Sequence, residues 1–302
     1  MTLPNFFIIG AAKSGTSSLY MYLKQHPEIY MSPIKEPHYF SFDNVSKHTK
    51  GPGDPIHKAI TNFDKYQSLF DNVTTEKAIG EASTSYLYRP EAPIRIYEIL
   101  PEAKFIAILR NPVDRAFSAY MHVVRDKREN TKNFSEALKL ESKRIRDGWE
   151  PIWHFTAVGY YFQQLSRYFN LFNKNQIKII LYDDLIQHQK NVISNIFQFL
   201  EVDNGFLPVS NVHYNVSGKQ KNSILFFLIN QLLNKPNPIR WSARKLFSDV
   251  YRGNFANMIK QINLRKQTIP LDIKIKLIKV FKDDILLLQN LIQQDLSHWL
   301  EN

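Results

Sequence analysis

The stretch from Asn5 to His26 limits what this chain can become more than any other. Phe6 to Ile9 is a run of β-branched and aromatic residues, AAKSGTSS is a loop of small residues, and the segment beyond it carries apolar residues at Leu19, Tyr20 and Leu23. That order predicts strand, loop and helix. Gly10 and Gly15 permit tight turns. The amides of Ser14 to Ser17, at the start of the helix, turn the positive end of its dipole into the loop. The expected guest is a phosphate or sulfate group.

Gly10 and Gly15 match the opening of the nucleotide-binding G-x-x-x-x-G-K-[ST] loop, but Thr16 stands at its lysine position and the lysine has moved inside the loop as Lys13. Phosphoryl-transfer enzymes with that loop also need an aspartate at the end of another core strand to help hold magnesium. The best second strand, Phe105 to Leu109, runs into Arg110 instead. A cation there points to phosphate-type recognition without magnesium, and no metal site is expected. A P-loop kinase or NTPase is the first alternative.

At 302 residues and 44% hydrophobic content the chain can bury a sizeable core, and no composition break divides it. The absence of cysteine rules out disulfides and Cys-based zinc sites and is compatible with a reducing cytosol. The first residues lack a basic leader pattern. The run Ile224 to Leu233 is shorter than the ~20 residues a membrane helix needs. A soluble cytoplasmic protein is the expectation. Of the formal net charge of +11, most lies between Lys235 and Lys279, where eleven Lys and Arg face only Asp249 and Asp272. With Trp241, Phe247, Tyr251 and Phe255 interleaved, this basic 235–279 segment fits an anionic acceptor, a membrane surface or nucleic acid, or simply a solvated helical face. A non-enzymatic nucleic-acid-binding module is therefore a second alternative, although nucleic acid is not the expected partner.

Further strands are expected at Glu28–Met31, Ala78–Ser83 and Ile177–Leu181, and helices at Thr61–Phe70, Ala92–Leu100, Pro112 onward, Phe134–Arg146, Phe155–Phe172 and Asn191–Leu200. Such alternation predicts an α/β domain: a central, mostly parallel sheet flanked by helices, with ligands at the carboxyl ends of its strands. Residues 1–210 form the expected core. Residues 211–302 form a polar loop and a helical C-terminal part of the same single domain. The polar stretch Ser41 to Ala59 reads as a substrate loop or as disorder.

Three groups converge on the expected site: Lys13 with the loop amides, Glu36 or His38 after the second strand, and Arg110 with Ser118. Arg110 closes its strand and Ser118 lies on the following helix, so both can hold one phosphate. Two anion sites on neighbouring strands fit a ligand with two separated phosphates.

FFIIGAAKSGTSSL and AILRNPVDRAFSAY, taken together, resemble the 5'-phosphosulfate loop and the 3'-phosphate motif of sulfotransferases that use 3'-phosphoadenosine 5'-phosphosulfate (PAPS), whose product is adenosine 3',5'-bisphosphate (PAP). VGYYFQQLSRYFNLFNKNQIKIILYDDLI and the terminal DLSHWL are similar to prokaryotic members, and KEPHYF is most similar to the heparan sulfate sulfotransferase branch. The resemblance implies a three-layer, P-loop-like fold and sulfuryl transfer to a saccharide or small-molecule acceptor. It makes Glu36 the general base, with His38 and His122 as lesser candidates. Lys13 would stabilise the bridging oxygen and sulfuryl group, Ser14 to Ser18 would bind the 5' end, and Arg110 and Ser118 the 3'-phosphate. The loop at Ser217, Gly218 and Lys219 would close over the cofactor. Heparan enzymes often carry a lysine in E-K-T-P where this chain has Glu81-Ala82-Ser83-Thr84, which argues against a heparan-like acceptor. His38, Tyr39, Tyr86 and Tyr88 are the expected acceptor contacts, with Tyr161 at the edge. Acceptor identity, oxygen against nitrogen attack and oligomeric state stay open at this level.

Overall fold

The computed structural model describes residues 2–42, 51–52, 59–209 and 267–301, and the backbone of 219–220 and 264–265. Its strands β1 (Phe6–Gly10), β2 (Ile29–Met31), β3 (Ala78–Ala82), β4 (Lys104–Leu109) and β5 (Ile177–Leu181) form one sheet in the order β2-β3-β1-β4-β5. All four pairings are parallel. A short antiparallel pair joins β6 (Lys219–Gln220) to β7 (Leu264–Arg265).

Among the described residues the helices are α1 (Thr16–Leu23), α2 (Phe63–Gln67), α3 (Ser85–Tyr88), α4 (Glu91–Ile99), α5 (Pro112–Arg125), α6 (Phe134–Arg146), α7 (Tyr161–Leu171), α8 (Tyr182–Gln187), α9 (Gln189–Phe199) and α10 (Leu271–Ile292). They cover both faces of the sheet. Phe7, Ile9, Phe105, Ala107 and Leu109 point into a core shared with α4, α5, α7 and α10, whereas Phe6, Ile8, Ile106 and Ile108 point into a second core with α1 and α9. Burial on both faces explains why β1 and β4 read as unbroken apolar runs rather than alternating ones. The terminal DLSHWL folds back over the sheet: Trp299 is buried, and its carbonyl accepts from Asn111 Nδ2 at the start of α5 (3.3 Å).

Two expected boundaries are corrected. The helix expected over Phe155–Phe172 begins only at Tyr161, because residues on other elements pin what precedes it. The Glu141 carboxylate of α6 accepts from Thr156 N (2.8 Å), Thr156 Oγ1 (2.8 Å) and Ala157 N (2.9 Å), holding that stretch as a loop. Asp284 of α10 then accepts from Phe162 N (3.1 Å) and caps α7, which has no side-chain cap of its own. The N-cap expected at Thr61 falls on Asn62, whose side chain accepts from Lys65 N (2.8 Å). Within the basic 235–279 segment, residues 235–263 lie outside the described residues, as does most of the 41–60 loop.

The chain leaves β1 toward β2 and leaves β4 toward β5, on opposite sides of the sheet. The two departing loops therefore open a crevice at the strands' carboxyl ends. Gly80 keeps the sheet packed beside it, since a Cβ at this position of β3 would overlap the Phe6 ring. Gly80→Ala is expected to cost about 1–3 kcal/mol through overpacking, measured as a lowered midpoint in chemical denaturation. An unchanged midpoint would contradict this packing.

Candidate active site

The loop after β1 is built around backbone conformations that most side chains avoid. Gly10 and Gly15 have φ of 154° and 92°, and a Cβ on Gly15 would press on the Tyr182 ring at 3.2 Å. Lys13 is also left-handed (φ 70°), a conformation that costs free energy and is held only by its surroundings. Gly15 is the N-cap of α1 and offers no side-chain cap, so the first amides of that helix keep donors for a ligand.

Arg110 leaves the end of β4 beside this loop. Its Nη1 donates to the Lys13 carbonyl (3.4 Å), its guanidinium lies 4.9 Å from the Tyr182 ring centre, and its own carbonyl accepts from Tyr161 Oη (3.0 Å). Among the described residues neither Arg110 nor Lys13 forms an ion pair with a carboxylate. An arginine and a lysine facing one crevice with no carboxylate bonded to either suit an anion.

Lys13 Nζ lies 3.3 Å from His122 Nδ1, which also accepts from Arg125 Nη2 (2.9 Å), while His122 Nε2 faces Asp126 Oδ2 (3.4 Å). Two donors on Nδ1 place the imidazole proton on Nε2. Burial, then Lys13 and Arg125, push His122 down to about 3, so it is neutral at physiological pH. Burial, then Arg125 and Arg110, lower Lys13 to about 8, against the opposing pull of Asp126 and Glu36.

Glu36 sits on the loop after β2, anchored where its amide donates to the Ala82 carbonyl (2.8 Å) at the end of β3. Burial works to raise its pKa, but Lys35, His38 and Thr84 outweigh it and hold the carboxyl below its usual value. Its Oε1 accepts from Lys35 Nζ (2.6 Å) and Thr84 Oγ1 (3.3 Å), and Oε2 lies 3.7 Å from His38 Nε2. His38 in turn contacts Ser85 Oγ through Nδ1 (2.7 Å), and its amide donates to Ser83 Oγ (3.1 Å). Glu36 and His38, like Lys13, have left-handed backbones, with φ of 62° and 58°.

These groups line one cavity of about 830 Å³. Of the residues expected from sequence, it brings together Lys13, Gly15, Thr16, Ser17, Ser18, Glu36, His38, Tyr88, Arg110, Ser118 and His122. Others stand elsewhere. Ser14 is fully buried behind the loop. Tyr86 and Tyr161 are core residues at 0% exposure, and Tyr86 Oη accepts from Phe40 N (3.3 Å), so neither edges an acceptor pocket. Tyr39 is likewise not on the cavity wall; it stacks on Tyr66 with ring centres 4.4 Å apart. Ser217 and Gly218 lie outside the described residues, and Lys219 is described only as backbone in β6, beside α5. Sequence reasoning did not single out Tyr182, Arg128 or Glu150, which also line the cavity. Tyr182 had a signal: it directly follows the apolar run of β5, at the carboxyl end where ligands bind. Among the described residues no group of three or more His, Asp or Glu could hold a metal ion, and no helix is long and apolar enough to cross a membrane.

The family model described as the sulfotransferase domain matches residues 3–215. The chain belongs to the sulfotransferase family. A crystal structure of a sulfotransferase from Alicyclobacillus acidocaldarius is 36% identical, covers 100% of both chains and superposes with a TM-score of 0.78. The central parallel sheet with flanking helices is this family's P-loop-like α/β fold. Among curated relatives, mouse bifunctional heparan sulfate N-deacetylase/N-sulfotransferase 4 is 30% identical over 71% of this chain but 23% of its own length. The membrane-associated sulfotransferase kil1 of Dictyostelium discoideum is 25% identical over 67% of this chain and 57% of its own. The chain thus spans only part of the curated relatives it matches.

The electrostatics of the loop make one pH dependence specific. Lys13 carries its charge below about pH 8 and loses it above, while His122 stays neutral and Glu36 charged throughout that range. Sulfate does not titrate there. Its affinity is therefore expected to fall by about tenfold between pH 7 and pH 9.5 as one opposing charge is lost; a flat calorimetric profile would remove Lys13 from the anion site.

Proposed function

We propose that this sulfotransferase moves the sulfuryl group of PAPS to a hydroxyl or amine of a saccharide or small-molecule acceptor, with PAP as the second product. The observation that carries this reading is the pairing state of the charges in one cavity. Among the described residues the two cations beside the β1 loop form no ion pair with a carboxylate, while the carboxylate of Glu36 is kept ionised by Lys35, His38 and Thr84.

In this reading Arg110 and Ser118 take the 3'-phosphate, and the loop amides with Lys13, Thr16, Ser17 and Ser18 take the 5' end. The acceptor's lone pair attacks sulfur in line, the bond from sulfur to the bridging oxygen breaks, and both electrons of that bond leave with the 5'-phosphate. Lys13 and the N-terminus of α1 stand where this negative charge grows, so their stabilisation is greatest in the transition state. The proposal calls on no metal: a sulfuryl group carries less negative charge than a phosphoryl group, and one lysine with helix amides can neutralise the leaving oxygen.

Glu36 takes the acceptor's proton. Its lowered pKa makes it a weak base for a free alcohol, so the proton moves late, as the new bond to sulfur acidifies the attacking group. Lys35 and Thr84 hold the carboxylate in one orientation, which limits the reorganisation needed in that step.

Two substitutions separate binding from chemistry. Glu36→Gln is expected to leave PAP affinity nearly intact and to lower turnover by at least ~10²-fold; full activity would exclude Glu36 as the base. Arg110→Ala is expected chiefly to weaken PAP binding, by about 10–100-fold for loss of a charge-assisted contact, and unchanged calorimetric affinity would contradict the assigned phosphate site. Magnesium-dependent ATP turnover in place of sulfuryl transfer would overturn the whole reading.

A further inference from the structure

The two ends of the cavity differ in how their cations are partnered. Beside the β1 loop, Lys13 and Arg110 form no ion pair with a carboxylate among the described residues. Among the described residues, the other two cations that line the cavity, Lys35 and Arg128, are already committed. Lys35 is bound to Glu36 (2.6 Å). Arg128 Nη2 is bound to Glu150 Oε2 (2.9 Å), its Nε donates to the Pro52 carbonyl (2.6 Å), and its guanidinium lies 4.5 Å from the Trp153 ring centre. The side chains of Arg128 and Glu150 are only 14% and 13% exposed. His122, beside Lys13 in the same cavity, is neutral at physiological pH.

We infer that Arg128 and Glu150 form an acceptor subsite that reads an uncharged, hydroxyl-rich ring, a neutral sugar by class, and turns away polyanionic chains. This rests on the sulfotransferase reading above. A sugar hydroxyl can accept from the guanidinium and donate to the carboxylate while the ion pair stays together. A carboxylate or sulfate brought to Arg128 meets the like charge of Glu150 at close quarters and has to displace it from the guanidinium in a poorly solvated position. The remaining lining suits the same guest: Thr84 and Ser85 offer hydroxyls, and Tyr88 with Ile152 offers the flat and apolar contacts on which a sugar face rests. Specificity by this device is repulsive as much as attractive, because the unwanted acceptor is excluded by a carboxylate placed in its path.

The test compares two acceptors that share N-acetylglucosamine hydroxyls and differ in charge: a chitin hexasaccharide, which is neutral, and a heparosan hexasaccharide, which adds a glucuronate at alternate sugars. With the full chain and PAPS, kcat/KM is expected to favour the neutral sugar by at least tenfold. Glu150→Gln, which frees Arg128, is expected to move the ratio at least tenfold toward heparosan. Because the readout is a ratio within one sample, a change in the folded fraction does not alter it. Preference for heparosan by the unaltered chain, transfer to neither sugar, or a ratio unmoved by Glu150→Gln would each overturn the subsite. Calorimetric titration of PAP on the same samples keeps the two readings apart. PAP that binds alongside the wrong acceptor order sinks only the acceptor class, whereas PAP that fails to bind sinks the sulfotransferase reading and this inference with it.

Discussion

The pairing of β1 with β4 is the constraint on which the site depends. These strands lie side by side in parallel, and the ladder is extended by the bond from Ala11 N to the Ile108 carbonyl (2.8 Å). One short step beyond it, Lys13 and Arg110 emerge next to one another. Arg110 is tied to the loop by its contact with the Lys13 carbonyl and is backed by the Tyr182 ring. Bringing two cations, with Arg125 behind them, into one partly desolvated space is unfavourable, and the lowered pKa of Lys13 expresses that cost. Burial of apolar strands on both faces of the sheet offsets it. The fold thus holds positive charge in a poorly solvated place, and a bound dianion relieves the repulsion. Affinity for an anion follows from a strain that the sheet imposes.

The same logic applies to the backbone. Of the six non-glycine residues with left-handed φ among the described residues, three are Lys13, Glu36 and His38, all on the cavity wall. Each such conformation costs on the order of 1–3 kcal/mol and persists only where neighbours over-determine it. Here the neighbours can be named. Glu36 N is bonded to the Ala82 carbonyl, His38 N to Ser83 Oγ, and the intervening Pro37 carbonyl accepts from Ile60 N (2.9 Å). The end of β3 therefore acts as a template for the loop after β2. That gives Ser83 and Thr84 a part in the site although the sequence around them carries no lysine of the heparan type: Ser83 fixes the backbone and Thr84 bonds the carboxylate.

What was legible in the sequence is what local pattern controls. The apolar runs of β1 and β4, the glycine spacing of the loop and Asn111-Pro112 at the start of α5 are local signals, and the structure keeps them. Asn111 caps α5 through its bond from Val113 N (3.0 Å), with Pro112 at the first helical position. The start of α7 was not legible, because Glu141 and Asp284 set it from distant helices. The tyrosines misled for a related reason. A polar-aromatic turn such as Thr84 to Tyr88 reads as exposed, yet Tyr86 turns inward and finds a partner for its hydroxyl in the Phe40 amide, a contact between elements far apart in sequence. Arg128 and Glu150 each look like ordinary surface charges, and only the fold shows that they meet across 22 residues.

The cavity therefore has a polarity that neither motif alone conveys. Both of its ends contain basic residues, so net charge would describe them alike. Pairing separates them. An unpaired cation offers its full field to an incoming anion, whereas a cation already bonded to a buried carboxylate offers directional donors with little net charge. Two parts of one cavity built from the same residue types can in this way prefer opposite chemistries at close quarters. Lys35 sits at the junction of the two. It neutralises Glu36 enough to keep the carboxylate ionised, and with its charge engaged there it has little left to attract an anion to Glu36. An ionised Glu36 and a Lys35 with little net field to offer an anion are consequences of one ion pair.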